Sequence, residues 1–293
     1  MSEVAMRMAV RDLLGPDFHG ASLTLVERHD RDDGGQDLVF MGMEDERIEA
    51  TWFPSDRPDP QPAILYCHAH GVRYEIGRKE LTDGRPALLS PWLPDLRARG
   101  YSVFVLEMPC FGSRSAMAEA ALAKARLWQG RVLFGQMLGE LRAAVHWLQD
   151  QPQVRRDKIA ALGISMGGTL AWWLAAMDQR ISAVVALCCL ADMGAMIESG
   201  AHDGHGPYMT VPGLLKLART GQVAGLIAPR PLFVGAGLQD WSTREPAFSI
   251  LRSDLERAYG PEGAVRFHVE ADLGHQETAA MRQAALRFLE EAL

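Results

Sequence analysis

Between Lys158 and Met177 the chain passes through a short apolar stretch, Ile159-Ala160-Ala161-Leu162, into Gly163-Ile164-Ser165-Met166-Gly167-Gly168, and out through Thr169-Leu170-Ala171-Trp172-Trp173-Leu174-Ala175-Ala176-Met177. The pattern predicts a buried strand, a sharp turn and a helix. Glycines two residues to either side of Ser165 remove the Cβ atoms that would collide where a backbone reverses around a strained residue. A serine held at the tip of such a turn is a nucleophile elbow. It constrains the fold strongly, because the strand must end at a sheet edge, the helix must cover a sheet face, and the partners of the serine must come from other strand ends.

The composition fits that demand. The chain has 293 residues, 48% hydrophobic and 23% charged, enough to bury one large core. A formal net charge of -7 argues against nucleic acid or an anionic membrane as the main partner, since both require concentrated Lys and Arg. A small or neutral molecule is expected instead, with at most a second copy of the chain as a protein partner. Cys67, Cys110, Cys188 and Cys189 lie in or beside apolar runs without paired spacing, which predicts buried free thiols and a reducing, cytoplasmic setting. Met1 to Val10 lacks the apolar core of a signal peptide, and no membrane-length apolar run follows, so a soluble protein is expected.

In chain order, residues 1 to 60 hold Ser22 to Val26, Asp37 to Met41 and Arg47 to Phe53, read as short antiparallel strands between turn-rich breaks. Pro54 to Pro62 is a proline-rich loop. Pro62 to Cys67 and Ser102 to Leu106 are nearly continuous apolar runs, as expected of parallel strands covered on both faces. Ala116 to Asp150 reads as two helices, with Gly130, Gly135 and Gly139 as kinks or points of close packing. Strands recur at Ile159 to Leu162, Ile181 to Leu187, Pro231 to Gly235 and Ala264 to Val269, and helices at Met166 to Met177, Glu245 to Tyr259 and Gln276 to Ala292. This alternation predicts a single α/β domain over residues 1–293. Residues 188–230 break the rhythm and read as a lid-like insertion. Trp172 and Trp173 are expected to pack the helix, one of them against the sheet.

A serine hydroxyl attacks an acyl carbon only if an imidazole takes its proton and a carboxylate holds that imidazole in the right tautomer. The loop Ala236-Gly237-Leu238-Gln239-Asp240-Trp241 follows one strand, and Ala271-Asp272-Leu273-Gly274-His275 follows the next. Asp240 and His275 are therefore the candidate acid and base, with Asp192 as an alternative acid and Asp272 as a turn residue. Backbone donors for a developing oxyanion are expected from Met166, directly after the serine, and from the loop Cys67-His68-Ala69-His70-Gly71-Val72, with the Val72 amide first and Gly71 second. His70, Arg73, Tyr74 and His202 are candidate substrate contacts. Arg114 and Trp128 could line the pocket, but equally well be a surface charge and a core aromatic. Glu107 is expected to anchor neighbouring loops. His68, His70, His202, Asp203 and His205 lack the larger spacing motifs of metal ligands, so neither metal nor cofactor is expected.

With these motifs in order, the chain resembles the alpha/beta hydrolase superfamily, and within it the dienelactone-hydrolase-like and acetyl-esterase-like branches with a short antiparallel N-terminal region. The resemblance covers roughly residue 60 to the end. It implies an eight-stranded, mostly parallel sheet with helices on both faces, and hydrolysis of a carboxylic ester, lactone or thioester of a small substrate. Ser165 stands where dienelactone hydrolases have cysteine, so that specific activity does not carry over. Rival readings are a peptidase or a carbon-carbon bond hydrolase on the same scaffold, and a binding protein that keeps the fold without turnover.

Overall fold

The computed structural model describes residues 1–293. One nine-stranded sheet runs through it in the order β1-β2-β3-β5-β4-β6-β7-β8-β9. Strands β1 (Thr24–Asp30), β2 (Gln36–Met41) and β3 (Arg47–Phe53) form an antiparallel meander, and β3 pairs antiparallel with β5 (Ser102–Leu106). The remaining neighbours are parallel: β5 with β4 (Gln61–Cys67), then β6 (Val154–Ile164), β7 (Ile181–Leu187), β8 (Leu232–Gly237) and β9 (Val265–Glu270). The sheet thus has one strand more than the family resemblance implies. The addition sits at the N-terminal edge, where β1 carries Glu27, Arg28, His29 and Asp30, charged or titratable side chains that discourage further pairing.

Helices α1 (Glu3–Leu14) and α2 (Pro16–Gly20) precede the sheet, and α3 (Glu80–Asp83) and α4 (Leu93–Ala98) lie between β4 and β5. Next come α5 (Glu119–Trp128) and α6 (Leu133–Gln149), then α7 (Met166–Met177) after the elbow. The insertion contains α8 (Met193–Glu198), α9 (Leu214–Leu217) and α10 (Thr220–Ala224), while α11 (Ala247–Tyr259) and α12 (Ala279–Ala292) complete the chain. Alternation along the strands divides the core. On β4, Ala63, Leu65 and Cys67 join the cluster under α1, α6, α7 and α11, whereas Ile64 and Tyr66 join the cluster under α4 and α12. Helices therefore cover both faces. None is long and apolar enough to cross a membrane.

Two local findings depart from or extend the sequence reading. The first twenty residues are helical, not a lead-in to strands: the Ser2 hydroxyl accepts from the Ala5 N–H at 3.2 Å as an N-cap, and Arg7, Val10 and Leu14 form the buried stripe. The glycines of α6 serve close packing. A Cβ at Gly135 would overlap the Leu14 carbonyl, and one at Gly139 would sit 2.5 Å from the Asp17 carbonyl, so α6 meets the α1–α2 corner backbone to backbone. The helical stretch breaks at Gly130, which has φ +70°, giving the expected pair α5 and α6.

Candidate active site

Ser165 lies between β6 and α7 with φ 57° and ψ -125°, a left-handed conformation that costs a non-glycine residue roughly 1–3 kcal/mol. Surrounding contacts hold it there. Its N–H donates to the Leu187 carbonyl at 2.8 Å, and its own carbonyl accepts from Thr169 N–H at 2.9 Å. A Cβ at Gly163 would lie 2.5 Å from the Cys67 carbonyl, and one at Gly167 would overlap the same oxygen, so the elbow presses against the end of β4. The two glycines expected from the motif are required by that contact.

Asp240 and His275 come together from the loops after β8 and β9. Nδ1 of His275 lies 2.8 Å from Oδ2 of Asp240, which is fully buried, while the imidazole is 19% exposed. Since a carboxylate can only accept, the proton sits on Nδ1 and the lone pair on Nε2 is left free. The other carboxylate oxygen accepts from the Ser242 N–H at 2.8 Å and the Ser242 hydroxyl at 2.7 Å. Ser242 Oγ also lies 3.1 Å from His275 Nδ1. Sequence reasoning did not single out Ser242; the Asp-x-Ser turn at 240–242, in which the aspartate caps the turn that follows, was the signal available. Asp192 is occupied elsewhere: it N-caps α8 by accepting the Ala195 N–H at 3.0 Å. The Ser165 hydroxyl makes no hydrogen bond to the imidazole; catalytic bonds of this kind tighten in the complex with substrate.

The loop after β4 is arranged differently from expectation. Val72 has φ 55°, its side chain is exposed, and its amide donates to Nδ1 of His70 at 3.0 Å, so it is not a free donor for an oxyanion. The His70 and Gly71 amides, by contrast, donate to no group in the protein, and Met166, the first residue of α7, has an amide with no acceptor inside its helix. The His70 imidazole is bound to the buried Glu119 carboxylate, which also accepts from the Tyr74 hydroxyl at 3.2 Å and the Tyr208 N–H at 3.1 Å. Glu119, absent from the sequence reading, thereby ties the β4 loop to the insertion. Burial, with Glu119 beside it, pushes the Tyr74 hydroxyl up to about 12, so it remains a donor. Neither His70 nor Tyr74 lines the large cavity described below.

Other candidates fall away from the site. Arg73 pairs with Glu75 on the surface, and Trp128 is 92% exposed. Arg114 is buried, but in a forked ion pair with Glu140 at 2.7 and 2.9 Å rather than in a pocket. His68 is fully buried; its Nε2 accepts from the Met108 N–H at 3.2 Å. Glu107 accepts from the Arg78 N–H at 3.0 Å, the loop-anchoring part foreseen for it.

A cavity of about 510 Å³ lies between α7 and the insertion. Its floor is Thr169, Trp172 and Trp173, residues four, seven and eight beyond Ser165 and so on the same face of α7 as the serine. Both tryptophans face this space, so neither is simply packed on the sheet. The roof comes from the insertion and includes His202 and His205. His205 lies against Trp241, with ring centres 5.6 Å apart, and Trp241 lies against His275 at 5.7 Å. Trp241 thus links the cavity's His205 to His275, while the cavity lining itself starts at Thr169, one turn along α7 from the serine. Burial holds the His205 imidazole below its usual pKa, in the neutral form.

Comparison with known proteins bears on the family and the fold. A profile of the family described as BAAT / Acyl-CoA thioester hydrolase C terminal matches residues 141–201, the span that contains the elbow. YtaP of Bacillus subtilis (strain 168), which bears a provisional hydrolase name, is 33% identical over 288 residues, 96% of each chain. The chain belongs to YtaP's family, within the alpha/beta hydrolase superfamily. Solved structures share the fold of this hydrolase at low identity. Acetyl xylan esterase 1 from Thermoanaerobacterium sp. JW/SL YS485 superposes with a TM-score of 0.66 at 17% identity, over 99% of this chain and 93% of that one. A glucuronoyl esterase from Solibacter usitatus superposes with a TM-score of 0.68 at 14% identity, over 97% of this chain and 91% of that one.

Proposed function

We propose that this hydrolase is a serine esterase that cleaves a small carboxylic ester, or a related lactone or thioester, by two-step acyl transfer. The observation that carries the reading is the 2.8 Å bond between His275 and the buried Asp240 at the strand ends beside a serine strained on an elbow. His275 Nε2 removes the Ser165 proton as Oγ attacks the acyl carbon, and Asp240 keeps Nδ1 protonated and stabilises the imidazolium. The Met166 amide and, in place of Val72, a free amide of the His70–Gly71 step receive the oxyanion. His275 then protonates the leaving alcohol, and water, deprotonated by the same imidazole, releases the acid and restores Ser165. No metal or cofactor enters these steps. The substrate is a free small molecule, and the four unpaired thiols favour a reducing compartment.

The test is steady-state hydrolysis of p-nitrophenyl esters from acetate to octanoate by wild type and by Ser165→Ala. The substitution should lower kcat by about 10⁴-fold or more with the folded state retained by circular dichroism. Equal rates from the two proteins would refute the assignment of the nucleophile.

A further inference from the structure

The fold relatives include esterases whose names specify acetylated xylan, yet the cavity that starts one turn along α7 from Ser165 is lined for something larger and less polar. We infer that the cavity between α7 and the insertion receives a bulky, uncharged, apolar group of the scissile ester, aromatic or of medium chain length. This rests on the reading of Ser165 and His275 as the reacting pair.

Size, lining and charge support it. About 510 Å³ lies well within the range of cavities that enclose whole small ligands, and an acetyl group would leave most of it unfilled. The floor presents two indoles with ring centres 5.0 Å apart, and the roof presents Met193, Met196 and Met209. Flat aromatic faces and flexible thioethers together make favourable contacts with a ring or an alkyl chain and adapt to its shape. No lysine or arginine lines the space, and Asp203 is its only formally charged side chain, so a carboxylate there would meet repulsion without a partner. Thr169, on the cavity floor, lies one turn along α7 from Ser165, so the cavity is within reach of a group a few bonds removed from the reacting carbonyl.

The experiment uses two ester series with the full chain. In the acyl series the alcohol is phenol and the acid runs from acetate to hexanoate and benzoate. In the alcohol series the acid is acetate and the alcohol runs from methanol to hexanol and benzyl alcohol. Each methylene that leaves water is worth roughly fourfold, so kcat/KM should rise at least about tenfold along one series, and that series identifies which side of the ester the cavity holds. Phenyl hydrogen succinate should be at least about tenfold poorer than phenyl butyrate. Filling the space by Ala191→Phe, or by Met196→Trp if the first variant does not fold, should compress the large-to-small ratio by about tenfold. Flat series, or a preference for the smallest group in both, would overturn the inference while leaving the esterase reading intact. Binding separates the two claims further: Ser165→Ala protein titrated with phenyl hexanoate and phenyl acetate, followed by tryptophan fluorescence, should bind the hexanoate at least about fivefold more tightly. Selective binding without hydrolysis by the wild type of any ester would support the cavity's assignment and strike down the esterase reading.

Discussion

Every residue of α7 from Met166 to Met177 is buried, whereas the insertion that faces it across the cavity is made of short helices and turns studded with half-buried and exposed side chains. The first wall is over-determined. Its N-terminus is clamped against β4 through Gly163 and Gly167, and its last carbonyls are bound by arginines from distant parts of the chain. Arg7 donates to the Ala176 carbonyl at 2.9 Å, Arg11 to that of Met177 at 3.0 Å, and Arg230 to that of Ala175 at 2.7 Å. Positive charge there also complements the negative end of the helix dipole whose positive end points at Ser165. The second wall is anchored at its C-terminal part by Val223, Ala224, Leu226 and Ile227 in the core and by Arg219 paired with Asp254, while its cavity-facing part relies on local links such as Glu119 to the Tyr208 amide and Asp192 at the cap of α8. The contrast teaches a division of labour under the proposed function: the reacting serine sits on the wall with one fixed geometry, and the cavity's other side is a segment that can change without unfolding the sheet.

Two buried acids sharpen that contrast most. Asp240→Asn should lower kcat/KM by about 10⁴-fold, because the amide no longer fixes the Nδ1 tautomer. Asp192→Asn, in the insertion, should cost no more than about 1 kcal/mol of stability, with ester hydrolysis little changed. If the two lose comparable activity, Asp192 shares the acid's role. In stability the order is carried by the first wall. Gly167→Ala should destabilise by about 3 kcal/mol in urea unfolding, since its Cβ has nowhere to go against the Cys67 carbonyl. Arg7→Met should cost about 2 kcal/mol by the same measurement, because the buried carbonyls of Ala176 and Leu226 lose charged donors. The smallest effect belongs to the second wall. Leu215→Ser, at a side chain 43% exposed in the insertion, should shift stability by no more than about 0.5 kcal/mol. A loss of several kcal/mol there would mean that the insertion is as tightly built as α7.

Much of this was legible in the residues. Continuous apolar runs marked the parallel strands, because a strand covered on both faces has no polar alternation to confuse the reading. The elbow and the pairing of Asp240 with His275 were readable because the residue types fall on loops after successive strands in a fixed chain order. What escaped depended on distant contacts. Residues 3–20 look unremarkable until Val10 and Leu14 are seen beneath α6, and the N-terminal part of β6 is hidden by Arg155, Arg156, Asp157 and Lys158. Val72 was the wrong donor because a backbone amide leaves no trace in the sequence of which acceptor it will find, here the imidazole two residues before it. Glu119 and Tyr208 lie 89 residues apart, so no local pattern could pair them. The tryptophans of α7 read as core because an apolar cavity lining and a packed core have the same composition.

The central claim, that Ser165 is the nucleophile made reactive by His275 and Asp240, is tested most directly by labelling the folded protein with a fluorophosphonate and mapping the adduct by peptide mass spectrometry. The account predicts one stoichiometric adduct on Ser165, slowed at least about 10³-fold by His275→Ala. No adduct on the wild-type protein, or an adduct on Ser165 formed at the same rate without the histidine, would contradict it.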